Sequence, residues 1–150
     1  MSALPDILLV EDNKDDRDLF ELALKQSDLL ATVSFAPGVD DALRRLNRQG
    51  HHAHMDLPAV VVLDLSLPDL DGVALLRYLR RHFLPVKIPV VVLTGSHRER
   101  DRALCEALHV EDYLVKPEIF SDLVSFVASL YIYLPGGTER QATQRLFRRR

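Results

Sequence analysis

Five polar residues stand directly after strongly apolar stretches of the sequence, where their side chains can act together. They are Glu11, Asp12, Asp64, Thr94 and Lys116. Three carboxylates brought close together repel one another, so either their pKa values rise or a cation neutralises them. A set of oxygen ligands with few protein groups suits Mg²⁺, which keeps several waters and often shares a phosphate oxygen. The residue types therefore predict a Mg²⁺ site.

The other members of the set complete a site for an anion. Lys116 supplies a compact positive charge and Thr94 a hydroxyl hydrogen bond, both suited to a phosphoryl group. Asp64 is the expected nucleophile, because a carboxylate can form an acyl phosphate. The alternative is that these residues only form turns and caps at strand ends. Because the five are chemically complementary and phosphoryl transfer depends on positioning and charge neutralisation, we favour the functional interpretation.

Apolar runs and stretches of helical periodicity alternate along the chain and predict the elements that position these residues. Runs rich in β-branched residues are typical of parallel strands buried on both faces. Strands are expected at 7–10, 32–36, 60–63, 90–93 and 112–115, and helices at 15–27, 39–47, 73–82, 98–108 and 121–133. The alternation predicts an α/β, doubly wound, five-stranded parallel sheet with five helices, whose ligand site lies at the carboxyl edge.

The length of 150 residues and the hydrophobic content of 47% fit one globular domain. A Pro-Gly-Gly at 135–137 predicts where the fold stops, which gives a domain over 1–133 and an arginine-rich tail over 134–150, with no separate output domain. No apolar stretch approaches the roughly 20 residues that span a bilayer, and no basic leader begins the chain. We therefore expect a cytoplasmic protein with no membrane contact.

The charge distribution argues against a nucleic-acid partner. The chain has 19 basic and 22 acidic residues, and the last 17 residues hold five arginines against Glu139 alone. The first 133 residues therefore carry 14 basic and 21 acidic side chains, a net charge of −7. Because phosphate contacts supply most of the affinity for nucleic acids, the acidic folded part is not expected to bind them.

Four segments together resemble the receiver domains of two-component response regulators. They are LLVEDN at 8–13, VLDLSLPDLDG at 62–72, VVLTGS at 91–96 and YLVKP at 113–117, in the family's order and spacing. The resemblance covers about residues 6–133 and implies a flavodoxin-like sheet with strand order 2-1-3-4-5. It also implies a signalling protein that receives a phosphoryl group from a sensor histidine kinase, not an enzyme with other substrates.

The resemblance assigns the acceptor and the metal ligands. Asp64 matches the family's phosphoacceptor, and Glu11 and Asp12 match the acidic pair that serves the metal. The family's metal also takes the backbone carbonyl two residues after the phosphoacceptor, which is that of Ser66 here. The first acidic position is Glu, where Asp is commoner in the family.

The resemblance also assigns a switch. Thr94 matches the hydroxyl residue that turns toward the phosphoryl group, and Tyr113 matches the aromatic residue that changes rotamer with it. Lys116 matches the lysine that pairs with the acyl phosphate, and the bond to Pro117 is commonly cis in such proteins. Phosphorylation is thus expected to change the surface formed by the fourth helix, the fifth strand and the fifth helix.

Two expectations concern partners. The segment DILLVEDNKDDRDLFELAL is similar to the small stand-alone regulators paired with bacterial phytochrome kinases, which implies such a kinase as the donor. The fifth predicted helix has a wide apolar face, which predicts a homodimer through the surface of the fourth helix, fifth strand and fifth helix. The alternative for this helix is a core element with an overhanging rim.

Two other functions remain open from the residues alone. Phosphohydrolases with an aspartyl nucleophile share the parallel sheet and the chemistry of its carboxyl edge, but those resembling haloacid dehalogenases need a second Asp where Ser66 stands. The second is a degenerate receiver that acts only through its surface, which is disfavoured because every chemical group is present.

Overall fold

Strands and helices alternate along the chain, as the sequence predicts. The structure, a computed structural model, describes residues 4–48, 50, 56–65, 72–83 and 87–135. In these ranges the strands are β1 (Asp6–Val10), β2 (Thr32–Ala36), β3 (Val60–Leu63), β4 (Val90–Thr94) and β5 (Asp112–Val115). The helices are α1 (Lys14–Ser27), α2 (Val39–Leu46), α3 (Gly72–His82), α4 (Glu99–Ala107) and α5 (Phe120–Ser129), and a 3₁₀ helix follows at Leu130–Tyr133.

The strands form one parallel sheet in the order β2-β1-β3-β4-β5. In register, Leu8 of β1 lies beside Val61 of β3, and Val61 lies beside Val90 of β4. Every residue of β3 and β4 is buried, because helices cover both faces of these inner strands. The predicted fold class and strand order are confirmed.

Two apolar layers hold the sheet between its helices. Along β1, Leu8 and Val10 join the layer beneath α2, α3 and α4, whereas Ile7 and Leu9 join the layer beneath α1 and α5. This alternation follows from the period of two in a strand, which sends successive side chains to opposite faces. The sheet is therefore fixed from both sides, and its carboxyl edge is a rigid place for a site.

The start of α1 is set by Asn13. Its side-chain oxygen accepts a hydrogen bond from the Asp16 amide at 3.0 Å, which satisfies one of the free N–H groups of the first turn. Asp15 and Asp16 then lie inside the first turn, where negative charge favours the helix dipole. The helix begins at Lys14, one residue before the predicted start.

The end of α5 differs from the prediction of a helix running to residue 133. The α-helix ends at Ser129, and the chain tightens into the 3₁₀ helix. The Ser129 hydroxyl donates to the Phe126 carbonyl at 2.6 Å, and a serine bond of this kind competes with the helix's own bonds. The tighter turn is accompanied by burial of Leu130 and Leu134 in the layer beneath α1 and α5.

Residues 136–150, which form most of the predicted tail, lie outside the described residues.

The wide apolar face of α5 is mostly covered within the chain. Its members Phe126, Val127 and Leu130 are buried in the layer shared with α1. Four more pack against that layer half-buried, namely Phe120, Leu123, Val124 and Tyr131. Ile119, just before the helix, is 62% exposed. The apolar surface available to a second copy is therefore narrower than the sequence pattern indicates.

Candidate functional site

The carboxyl edge of the sheet brings together the predicted polar residues. Glu11 and Asp12 follow β1, Asp64 follows β3, Thr94 ends β4 and Lys116 follows β5. Ladder hydrogen bonds continue into this edge. The Asp64 amide donates to the Val10 carbonyl at 3.1 Å, and the Lys116 amide donates to the Thr94 carbonyl at 2.8 Å. The backbone of the site is thus held by the sheet itself.

Glu11, Asp12 and Asp64 form an acidic cluster, with carboxylate oxygens within 4.8 Å of one another. Glu11 and Asp64 are each 4% exposed, and Asp12 is exposed. Burial raises the pKa of Glu11 to about 6, although its hydrogen bond with Lys116 lowers that pKa. Three hard oxygen donors, two of them buried and one open to solvent, fit a divalent cation that keeps part of its water shell.

Gly72, the first residue of α3, lies against the backbone that carries Asp64. Its amide donates to the Leu65 carbonyl at 2.9 Å. A Cβ at this position would overlap the Asp64 carbonyl oxygen and lie 2.6 Å from the Leu65 Cα. The absence of a side chain therefore lets α3 approach the backbone of Asp64 and Leu65 closely.

Lys116 connects the carboxylates of the site. Its ammonium nitrogen lies 2.8 Å from Glu11 Oε2, 2.8 Å from Asp16 Oδ2 and 3.0 Å from Asp64 Oδ2. Burial lowers the pKa of Lys116, but the hydrogen bonds to the three carboxylates outweigh burial and hold that pKa above its ordinary value. Lys116 is therefore positively charged across the physiological pH range.

Thr94 contacts the other oxygen of Asp64. Its hydroxyl donates to Asp64 Oδ1 at 2.9 Å, and this hydroxyl oxygen accepts a hydrogen bond from the Ser96 amide at 3.3 Å. Thr94 is fully buried. The Asp64 carboxylate is thus held by a hydroxyl on one oxygen and an ammonium on the other.

Tyr113 is turned into the protein and connects β5 to the loop after β4. Its hydroxyl donates to the Ser96 carbonyl at 2.9 Å, and the Arg102 guanidinium lies 4.7 Å from the ring centroid. The Ser96 hydroxyl in turn contacts the Asp101 carboxylate at the start of α4. Ser96 therefore joins Thr94 at the site to Tyr113 and α4.

Some features of the site were missed by the sequence interpretation or lie beyond the structure. Asp16 was not among the site residues predicted from the sequence, yet its side chain reaches Lys116 from the first turn of α1, which closely follows the acidic pair. The backbone carbonyl of Ser66 lies outside the described residues. Among the described residues no peptide bond is cis, so the Lys116–Pro117 bond is trans, unlike the family's common form.

The sequence profile of the response regulator receiver domain family matches residues 7–128, from the second residue of β1 nearly to the end of α5. The chain belongs to this family. Response regulator Rcp1 of Synechocystis sp. is 36% identical to this receiver domain protein over 124 residues, which are 83% of the present chain and 84% of Rcp1. The family predicted from the four motifs is confirmed.

Solved structures of related regulators share the fold. The Mn²⁺-bound form of Rcp1 has a TM-score of 0.73 and covers 84% of this chain and 91% of its own. The phosphorylated cyanobacterial phytochrome response regulator RcpA is 33% identical, with a TM-score of 0.77 over 89% of this chain and 99% of its own. The bacteriophytochrome response regulator RtBRR is 40% identical, with a TM-score of 0.71 over 85% and 78%.

This receiver domain protein is therefore a component of two-component signalling, not a classical enzyme, and regulators associated with phytochromes are among its relatives. Of the helices in the described ranges, none has the length and apolar character needed to cross a membrane.

Proposed function

We propose that this receiver domain accepts a phosphoryl group from a sensor histidine kinase onto Asp64, with Mg²⁺ as cofactor, and thereby changes its partner-binding surface. The proposal assigns this activity to residues 1–133, acting in the cytoplasm. It is carried by one observation: the buried Asp64 carboxylate is bonded by Thr94 and Lys116 and belongs to the acidic cluster.

In the proposed reaction a carboxylate oxygen of Asp64 attacks the phosphorus of a phosphohistidine. The new O–P bond replaces the N–P bond, and the kinase imidazole leaves with the electron pair of that bond. Lys116 contributes fixed positive charge next to the acceptor, which stabilises the negative charge on the phosphoryl oxygens. Thr94 supplies a neutral hydrogen-bond donor from the opposite side of the carboxylate.

The proposed Mg²⁺ site consists of Glu11, Asp12 and Asp64, with the Ser66 carbonyl added by the family resemblance. Bound Mg²⁺ supplies neutralisation of phosphoryl charge that one lysine cannot provide. The acidic cluster supports this assignment, and so does the Mn²⁺-bound form of the related Rcp1. All donors are hard oxygens, a ligand type that suits Mg²⁺.

The proposed switch uses Thr94 and Tyr113. A phosphoryl oxygen on Asp64 would attract the Thr94 hydroxyl, which is bonded to the Ser96 amide, while the Ser96 carbonyl accepts the Tyr113 hydroxyl. Contact with the phosphoryl group thus favours the state in which the Tyr113 hydroxyl is bonded to Ser96 over the state in which Tyr113 is turned away. The equilibrium between these two states shifts by the free energy of that contact. The surface that responds is formed by α4, β5 and α5.

Intact-mass measurement after incubation with phosphoramidate tests the acceptor and the cofactor. We expect one phosphoryl adduct in the presence of Mg²⁺, little without it, and none in Asp64→Asn, which keeps the size of the side chain but not the nucleophile. Asp56→Asn, an aspartate outside the site, is the matched control and should be labelled normally. An adduct of unchanged yield on Asp64→Asn would contradict the proposal.

The same assay with phosphorylated kinases as donors tests the partner. The relatives RcpA and RtBRR are phytochrome response regulators by name, and this similarity supports a phytochrome kinase as donor. We expect faster transfer from such a kinase than from an unrelated histidine kinase. Preference for the unrelated kinase would refute this partner, and steady turnover of a generic phosphate ester would favour the phosphohydrolase alternative.

A further inference from the structure

Lys116 has a carboxylate partner that belongs neither to the predicted catalytic set nor to the acidic cluster. Asp16 lies in the first turn of α1, and its Oδ2 is 2.8 Å from the ammonium nitrogen of Lys116, 100 residues along the chain. An ammonium group has three N–H donors. The ammonium donates to Asp16 and Asp64 and forms an ion pair with Glu11, so three carboxylates surround it.

The three carboxylate partners of Lys116 differ in whether a bound metal ion also needs them. Glu11 and Asp64 belong to the acidic cluster, whereas Asp16 does not. A divalent cation at the cluster competes with Lys116 for the oxygens of Glu11 and Asp64, because both cations are attracted to the same negative charge. Asp16 can pair with Lys116 without this competition.

We propose that Asp16 is a positioning residue that keeps one N–H donor of Lys116 fixed while the other two turn from Glu11 and Asp64 toward the phosphoryl group. This inference rests on the proposed function of Asp64 and specifies how its lysine is oriented. The side chains of Asp16 and Lys116 are 40% and 27% exposed, so the pair lies at the rim of the site, where the ammonium can turn.

The surroundings of the Asp16–Lys116 pair explain why removal of Asp16 should affect phosphoryl transfer. A small cavity of about 60 Å³ adjoins it, walled by Leu9, Leu93 and Leu123 as well as by Glu11, Asp16 and Lys116. Apolar walls give an ammonium group no substitute partner. Without Asp16, the charge of Lys116 is left to solvent and to the carboxylates that the metal and the phosphoryl group require. Phosphoryl transfer should therefore become slower.

The negative charge of Asp16, taken alone, predicts the opposite result. The incoming phosphoryl group is anionic, so removal of a nearby carboxylate lowers repulsion and favours its arrival. Loss of positioning slows the reaction and loss of charge speeds it up. A slower rate of phosphoryl transfer after removal of Asp16 therefore indicates a positioning role, and a faster rate indicates that the negative charge only repels the phosphoryl group.

The test compares phosphoramidate labelling rates of the full chain at saturating Mg²⁺. We expect Asp16→Ala to be about fivefold slower, the upper range for a partly exposed ion pair. Asp16→Asn keeps an acceptor oxygen without the charge and should stay within about twofold of the native rate. Asp15→Ala, which removes an exposed carboxylate from the same helical turn, is the matched control and should also be near native.

A second measurement follows Lys116 directly, in unphosphorylated protein without metal. We expect the ¹⁵N NMR signal of its ammonium group to be protected from fast proton exchange in the native chain and in Asp16→Asn, and to broaden in Asp16→Ala. Native or faster labelling of Asp16→Ala, or an unchanged ammonium signal, would overturn the inference. If the native chain takes up no phosphoryl group, the proposed function fails, and the ammonium signal alone decides whether Asp16 positions Lys116.

Discussion

The protonation of Glu11 depends on its burial in the site. It is almost fully buried, and burial raises its pKa from 4.5 to about 6, against the opposing effect of Lys116. The folded state therefore prefers the protonated form of Glu11 more strongly than the unfolded state does. This preference stabilises the fold below pH 4.5 and is lost as the pH rises through 6. The ionised carboxylate is thus retained at neutral pH at a cost in stability.

This cost predicts a pH-dependent difference between the native chain and Glu11→Gln. In metal-free buffer, raising the pH from 4 to 7 should favour the variant by about 2 kcal/mol in the free energy of unfolding, because glutamine does not titrate. Urea unfolding at several pH values with a chelator measures the difference. Added Mg²⁺ should stabilise the native chain more than the variant.

The control for this prediction is Glu21→Gln, which changes an exposed carboxylate of α1. Its effect on the free energy of unfolding should be within about 0.5 kcal/mol, as for a surface substitution. A Glu11→Gln difference that is constant between pH 4 and 7 would contradict the assigned effect of burial on Glu11.

At the residue scale, chemistry identified the members of the site but not their contacts. Asp64, Thr94 and Lys116 were predictable because each ends an apolar strand and such ends share one edge of a parallel sheet. The bond from Asp16 to Lys116 depends on how α1 packs against α5 and brings its first turn to the residue after β5, and that packing is a tertiary property. The contact of Tyr113 with the Ser96 carbonyl likewise depends on the course of the loop after β4.

At the scale of elements, α3 is coupled to the site through its first residue. Gly72→Ala would drive a Cβ into the Asp64 carbonyl, so either α3 or the backbone of Asp64 and Leu65 must shift. We expect a loss of about 1–3 kcal/mol in the free energy of unfolding, together with slower phosphorylation because the acceptor backbone moves. Urea unfolding and phosphoramidate labelling measure the two effects.

Gly95→Ala is the matched control for this substitution. Gly95 directly follows Thr94, yet a Cβ there would have no atom within 4 Å. Its effect on stability should be within about 0.5 kcal/mol, as for a surface substitution. Equal losses in Gly72→Ala and Gly95→Ala would show that the approach of α3 is not the cause.

Elements that depend mainly on their own sequence were predicted more accurately than those that depend on contacts elsewhere in the fold. The β-branched runs of β3 and β4 determine buried strands by themselves, and these strands appear where they were expected. The prediction that α5 continues to residue 133 was wrong. The Ser129 hydroxyl bond and the burial of Leu134 favour a 3₁₀ turn there, and helical periodicity does not reveal either of them. The strand order came from the resemblance, since alternation alone permits more than one parallel sheet.

At the scale of the whole molecule, the homodimer stays a prediction. The apolar surface that α5 exposes for it is smaller than the sequence pattern indicates. Most of the apolar face of α5 packs against α1, which leaves Ile119 as its most exposed member. If two copies pair through α4, β5 and α5, Ile119 is expected to lie in the contact. Ile119→Asp should then raise the dimer dissociation constant at least tenfold, since a charge replaces a buried apolar anchor.

Sedimentation equilibrium over a range of concentrations, before and after phosphorylation, measures this constant. Leu22→Asp is the matched control, because Leu22 is an exposed leucine, 48% accessible, on α1 and outside the predicted contact. Its dissociation constant should equal that of the native chain. A strictly monomeric native protein in both states would refute the dimer. A weaker dimer in Leu22→Asp, with an unchanged dissociation constant in Ile119→Asp, would instead place the contact on α1.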